Sequence, residues 1–186
     1  MNDLEDAWRW YGDALASLRR MERIGEKWWD HLSWESPPWK GDRHFFELEK
    51  ESVVASAANG RGHLDDIAVV VLFSVFEATV RRAVLDQIAL EEGGLRHRSI
   101  VDAIQAAKDR IREGSFFAVL EPFKPLDAAL IEEVNQVRRF RNWVSHGKRG
   151  EQPAVVSPRV AYDRLNRCLP LLVSPPNDEA STEPSR

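Results

Sequence analysis

Apolar residues recur along this chain at intervals of three and four, and no segment alternates with a period of two. From Leu4 to about Leu32, charged residues alternate with Leu, Ala and aromatics. Trp8, Tyr11, Leu15, Leu18 and Ile24 fall on one side, which predicts a long helix. The stretch Ser33 to Gly41 holds Pro37-Pro38 and must break it. Asp42 to Asn59 reads as a helix, although its spacing also allows a short extended piece, and Gly60-Arg61-Gly62 is expected to end it as a connector. A second strong helix is expected from His63 to about Leu90, with Asp65-Asp66 in its first turn and Gly93-Gly94 at its end. Ser99 is the expected N-cap of a further helix with Ile100, Ile104, Ala107 and Ile111 on one face, and Ser115 to Pro125 forms a compact aromatic connector. The next helix enters at Pro125 with the stripe Leu126, Leu130, Val134, Val137, Val144 and stops at Gly147. Ser157-Pro158 opens the last, whose stripe is Tyr162, Leu165, Leu169, Leu172. The expected architecture is all-α: an up-and-down bundle of four to five helices over residues 62–173, a long Trp-rich helical arm over 1–61, and a disordered tail over 174–186.

Two charges interrupt these stripes. At 100° per residue Arg141 falls between Val137 and Val144, and Glu77 sits at the centre of the face Val70, Phe73, Val80, Val84. A lone buried charge costs several kcal/mol, so Glu77 and Arg141 are expected to meet across a helix interface. Asn142 and His146 are four apart and share another face of the same turn, where the helix unwinds toward Gly147.

Composition narrows the classes. At 186 residues with 43% hydrophobic content the chain suits one core, and 26 Lys+Arg against 30 Asp+Glu leave a net charge of -4. A bulk electrostatic grip on nucleic acid is therefore not expected, and any polyanion must meet a local patch. Cys168 is the lone cysteine, which excludes an intrachain disulfide and suits a reducing, cytoplasmic setting. The acidic start lacks the pattern of a signal peptide, and the longest apolar run, Ile67 to Phe76, is about half of a membrane span, so no membrane partner is expected. His31, His44, His63, His97 and His146 show no zinc-ligand spacing, and neither a metal nor another cofactor is expected. Six of the seven tryptophans lie within the first 39 residues. They suit burial against a neighbouring helix or second subunit, with base stacking as the other reading.

Arg141 and His146 carry the chemistry. An imidazole can take the proton of a ribose 2′-hydroxyl while a guanidinium grips the phosphate and stabilises the charge developing on it. That pair suffices for RNA cleavage without a metal, with Arg138, Arg139, Lys148 and Arg149 as a local basic patch for RNA.

Arg141-Asn142-Trp143-Val144-Ser145-His146-Gly147 resembles the Arg-x4-6-His signature of the HEPN superfamily in its R-N-x3-H form, and Val71 to Ala78 resembles the family's first core helix with its acidic residue. The resemblance covers about Gly62 to Leu172. It implies an endoribonuclease whose two copies line one cleft, serving as a toxin or anti-phage effector, with an antitoxin or other protein as a possible partner. On this resemblance Arg141 binds phosphate, His146 is the acid/base, Asn142 orients the site and Glu77 supports Arg141. In one subset a tyrosine stands two residues after the histidine. Lys148 stands there here, so control by nucleotidyl transfer to that tyrosine is not expected. The alternative is a non-catalytic helical interaction module, with His146 a helix cap, the Arg141–Glu77 pair architectural, and the Trp-rich arm binding a protein.

Overall fold

The computed structural model describes residues 3–33 and 49–173. The expected Ser33–Gly41 turn from Trp34 onward, Trp39, the residues from Asp42 to Leu48 and the 174–186 tail lie outside the described residues. Among the described residues six α-helices follow in order: α1 Asp3–Arg23, α2 Lys50–Glu92, α3 Arg98–Glu113, α4 Phe116–Leu120, α5 Ala128–Ser145 and α6 Pro158–Val173. There is no strand among the described residues, so the all-α expectation holds.

α2 is the mast of the molecule, since α1, α3, α5 and α6 all pack against it. Its 43 residues run without interruption through Gly60-Arg61-Gly62, where the sequence pattern suggested a connector. Glycine ends a helix when the chain needs the left-handed conformation, and neither Gly60 nor Gly62 adopts it. Gly60 instead makes room for α1, because a Cβ there would stand 3.2 Å from Leu18 Cδ2. Close packing of two helices offsets the roughly 1 kcal/mol that a helical glycine costs.

α1 docks along α2 within the same chain. Tyr11, Leu64 and Ala68 form a buried cluster capped by Trp8, Leu15 and Leu18, so the face anticipated for the first helix is the one that packs. The α-helix ends earlier than the pattern suggested, passing at Ile24 into a π turn to Trp28 and a 3₁₀ turn, Trp29–His31. Trp8 stacks on Tyr162 of α6 at 4.9 Å, while Trp10 and Trp28 remain 45% and 56% exposed.

The main core gathers Leu72, Phe73, Phe76 and Val80 of α2 with Ile131, Val134 and Val137 of α5 and Leu165, Cys168 and Leu169 of α6. Burial of each such aliphatic or aromatic side chain contributes about 1.5–3 kcal/mol. Phe116 of α4 meets Phe73 and Phe76 edge-on at 5.6 and 5.8 Å, which seats the aromatic connector in the core. α3 is different: it buries none of its residues, and His97 rather than Ser99 is its N-cap, because His97 O closes the first turn with the N–H of Val101 at 3.1 Å. α5 likewise starts later than the stripe implied. Asp127 is its N-cap, accepting from Leu130 N at 2.9 Å, and Leu126 lies outside the helix and 64% exposed. Ser157 caps α6 as expected, its Oγ accepting from Val160 N at 3.4 Å.

Candidate functional site

The site residues ride on the last two turns of α5. Its buried face is Ile131, Val134, Asn135, Val137 and Phe140, and Arg141 continues that face as a half-buried cation. The guanidinium lies over the Phe73 ring of α2 at 5.7 Å and donates from Nη1 to Asn142 Oδ1 at 3.0 Å. Arg141 Nε is buried with no hydrogen-bond partner.

The expected Glu77–Arg141 pair does not form. Glu77 Oε1 instead accepts from Nη2 and Nε of Arg81 at 2.6 and 3.0 Å. These two residues are one turn apart on a single helix, with Glu N-terminal, an arrangement that brings the charges together before any tertiary contact exists. Arg81 also donates from Nη1 and Nη2 to the backbone oxygens of Ile111 and Gly114, and lies over Phe116 at 5.5 Å. Thus Glu77 and Arg81 tie the end of α3 to α2, and the π face of Phe73 takes the place that a carboxylate was expected to fill beside Arg141. No carboxylate among the described residues lies within ion-pair distance of Arg141.

His146 is the C-cap of α5 and is exposed. Its N–H reaches Asn142 O at 3.0 Å; Gly147 N then reaches Val144 O at 2.9 Å and Lys148 N reaches Trp143 O at 2.8 Å. These last two bonds are those of a Schellman motif, and Gly147 supplies the required positive φ of 73°. Lys148 follows at φ 59°, a conformation uncommon for a side-chain-bearing residue. It is held by Asp66 of α2 at 2.6 Å and by the Trp143 ring at 5.5 Å. The turn that carries His146 is therefore pinned to α2. The imidazole itself has no hydrogen bond among the described residues.

Arg141 is half-buried over Phe73, whereas His146 is exposed at the C-cap, and no contact joins the two side chains among the described residues. Asn142 stands between them, half-buried, with its Oδ1 on Arg141.

The basic patch is only partly free. Arg139 pairs with Glu132, and Lys148 with Asp66. Arg138 donates from Nε to Asn135 Oδ1 at 3.2 Å and lies over Phe117 at 5.4 Å. Burial, and then the neighbouring Arg139 charge, lower its pKa from the usual arginine value, against the opposing pull of Glu132 and Glu77. Arg149 is exposed and has no ion pair among the described residues.

Arg81 and Asn135 were not singled out in the sequence, and Phe73 and Asp66 were read only as a residue of an apolar face and a first-turn acid. Arg81 was findable as the i+4 partner of Glu77, and Asn135 as the i−3 neighbour of Arg138. Nothing in the pattern marks Phe73 or Asp66 as neighbours of the site, since their contacts there are tertiary. Trp143 Nε1 is a second buried donor without a partner, two residues from Arg141. Among the described residues no group of three or more His, Cys, Asp or Glu could hold a metal ion, and no helix is long and apolar enough to cross a membrane. Comparison with protein-family models, curated proteins and solved structures finds no match.

Proposed function

We propose that this protein is a metal-independent endoribonuclease of HEPN type, working as a homodimer in the cytoplasm as a toxin or defence effector. The observation that carries the reading is the state of Arg141: a half-buried guanidinium with an orphaned Nε, without a carboxylate, one turn before an exposed and unbonded imidazole. An internal ion pair would have used that charge for architecture. Its absence leaves a cation suited to a phosphate.

In the proposed reaction His146 takes the proton of a ribose 2′-hydroxyl, and the oxygen attacks the adjacent phosphorus. The 5′-oxygen of the next nucleotide leaves with a proton from water, the His146 imidazolium then giving up its proton to the hydroxide so formed, and Arg141 stabilises the charge on the phosphoryl oxygens. In the proposed dimer the two copies of the motif line one cleft, so that Arg141 of one copy works beside His146 of the other. Arg149 is the freest cation for steering RNA, with Arg138, Arg139 and Lys148 contributing the surrounding potential. The test is RNA cleavage in EDTA with analysis of product ends. Cyclic 2′,3′-phosphate and free 5′-hydroxyl ends are expected, and 5′-phosphate ends would contradict the mechanism.

A second reading rests on a separate observation. α3 buries no residue and Trp10 and Trp28 are exposed, features suited to a docking surface for a protein partner such as an antitoxin.

A further inference from the structure

A groove of about 440 Å³ lies beside α5, lined by Gln136, Arg139, Glu151, Gln152, Pro153 and Ala154. That volume is within the range of about 300–1,000 Å³ in which proteins hold small ligands. The groove forms because the chain leaving α5 turns back at Gly150, where φ is +80°, and is anchored by Val156, which is buried in the core. Arg139 lies seven residues before His146, and both are exposed, so the groove opens on the helix whose C-cap carries the imidazole.

The lining combines hydrogen-bond donors with a carboxylate. Gln136 Oε1 is taken by Arg164 Nη1 at 3.0 Å, which leaves the Gln136 amide nitrogen as a donor. Arg139 gives one nitrogen to the exposed Glu132 and retains its other N–H donors. Glu151 has no ion-pair partner among the described residues and supplies the acceptors. Pro153 offers an apolar wall. Donors and a carboxylate lining one groove suit guanine, whose O6 and N7 accept while its N1–H and exocyclic amine donate. Adenine reverses the polarity at position 6 and has no N1–H at neutral pH.

We propose that this groove is a guanine-reading subsite for single-stranded RNA, with Arg139 and Gln136 on O6 and N7 and Glu151 on N1–H and the amine. It rests on the ribonuclease reading and deepens it by naming a base near the cleaved bond. The readout is binding, which separates the two ideas. Fluorescence anisotropy of labelled UUGU and UUAU tetranucleotides would be measured with His146→Ala protein, so that the RNA stays intact. UUGU is expected to bind about 10-fold more tightly, and Glu151→Gln is expected to remove that preference, bringing the two affinities together. Equal affinity for the two, binding of neither, or a preference that survives Glu151→Gln would overturn the subsite. Guanine preference in a protein that cleaves no RNA would leave the groove standing and remove the nuclease reading. Cleavage without guanine preference would do the reverse.

Discussion

Arg141 was expected beside Glu77 and is found on Phe73, and the difference decides what the residue is free to do. A cation–π contact holds the guanidinium without neutralising it, at about 0.5–2 kcal/mol. Arg141→Lys would keep the charge and lose the fork that a phosphate engages; if the site binds RNA, cleavage is expected to fall at least 10-fold with little change in the thermal midpoint. Tyr11 gives a prediction that concerns folding alone. Its hydroxyl donates to Asp65 at 2.7 Å, and burial first, then that bond and the carboxylate charge, push its pKa up to about 12. A raised pKa means the folded state keeps a proton that the unfolded state has released. The associated stability is complete below pH 10 and is lost as pH rises toward 12. Burial also raises the Cys168 thiol to about 11, which adds a loss of the same sign from about pH 9 upward. Urea titrations across pH 8–12 should show stability falling, less steeply in Tyr11→Phe. An unchanged slope in that variant would remove Tyr11 as a cause.

At the level of elements, the long α2 was the feature hardest to see. Its two halves were each legible from their apolar spacing, but Gly60-Arg61-Gly62 looked like punctuation because sequence alone does not reveal that α1 lies against Gly60. Gly62 has open space around its missing Cβ. Gly62→Ala is therefore expected to raise stability by about 0.5–1 kcal/mol in urea unfolding, as a glycine in a helix interior should. A loss of stability would mean the chain bends there. Arg81, held by Glu77, ties α2 to the end of α3, alongside the Lys108–Glu92 ion pair, and α3 buries no residue of its own. Arg81→Ala should cost about 1–3 kcal/mol and raise amide exchange over α3 first. The helix ends followed a similar logic. Ser157 and Gly147 were readable because capping is local, whereas the start of α3 at His97 follows from backbone bonds that no residue type announces.

For the whole molecule, the all-α class was legible because every strong segment repeats at three and four and none at two. The packing of the N-terminal arm was not, since an aromatic face serves a neighbour in the same chain or another equally well. α1 docks on α2 of its own chain through Tyr11, Leu15 and Leu18. The candidate site was legible as a motif on one helix. Its surroundings were not, because Phe73 and Asp66 reach it from α2 and the groove is made by a chain reversal after Gly150. The proposed activity calls for a pair of chains whose two motifs line one cleft. Cleavage per protein should then fall on dilution together with the dimer fraction in sedimentation velocity, and activity that follows a monomer would contradict the shared cleft.

The most direct measurement is cleavage of total RNA and transfer RNA in EDTA by the wild-type protein and by His146→Ala. A positioned general base contributes about 10²–10⁴-fold, so the wild type should cleave and the variant should lose at least 100-fold while keeping its fold, His146 being exposed. Equal cleavage by the two proteins, or none by the wild type on any RNA, would contradict the account.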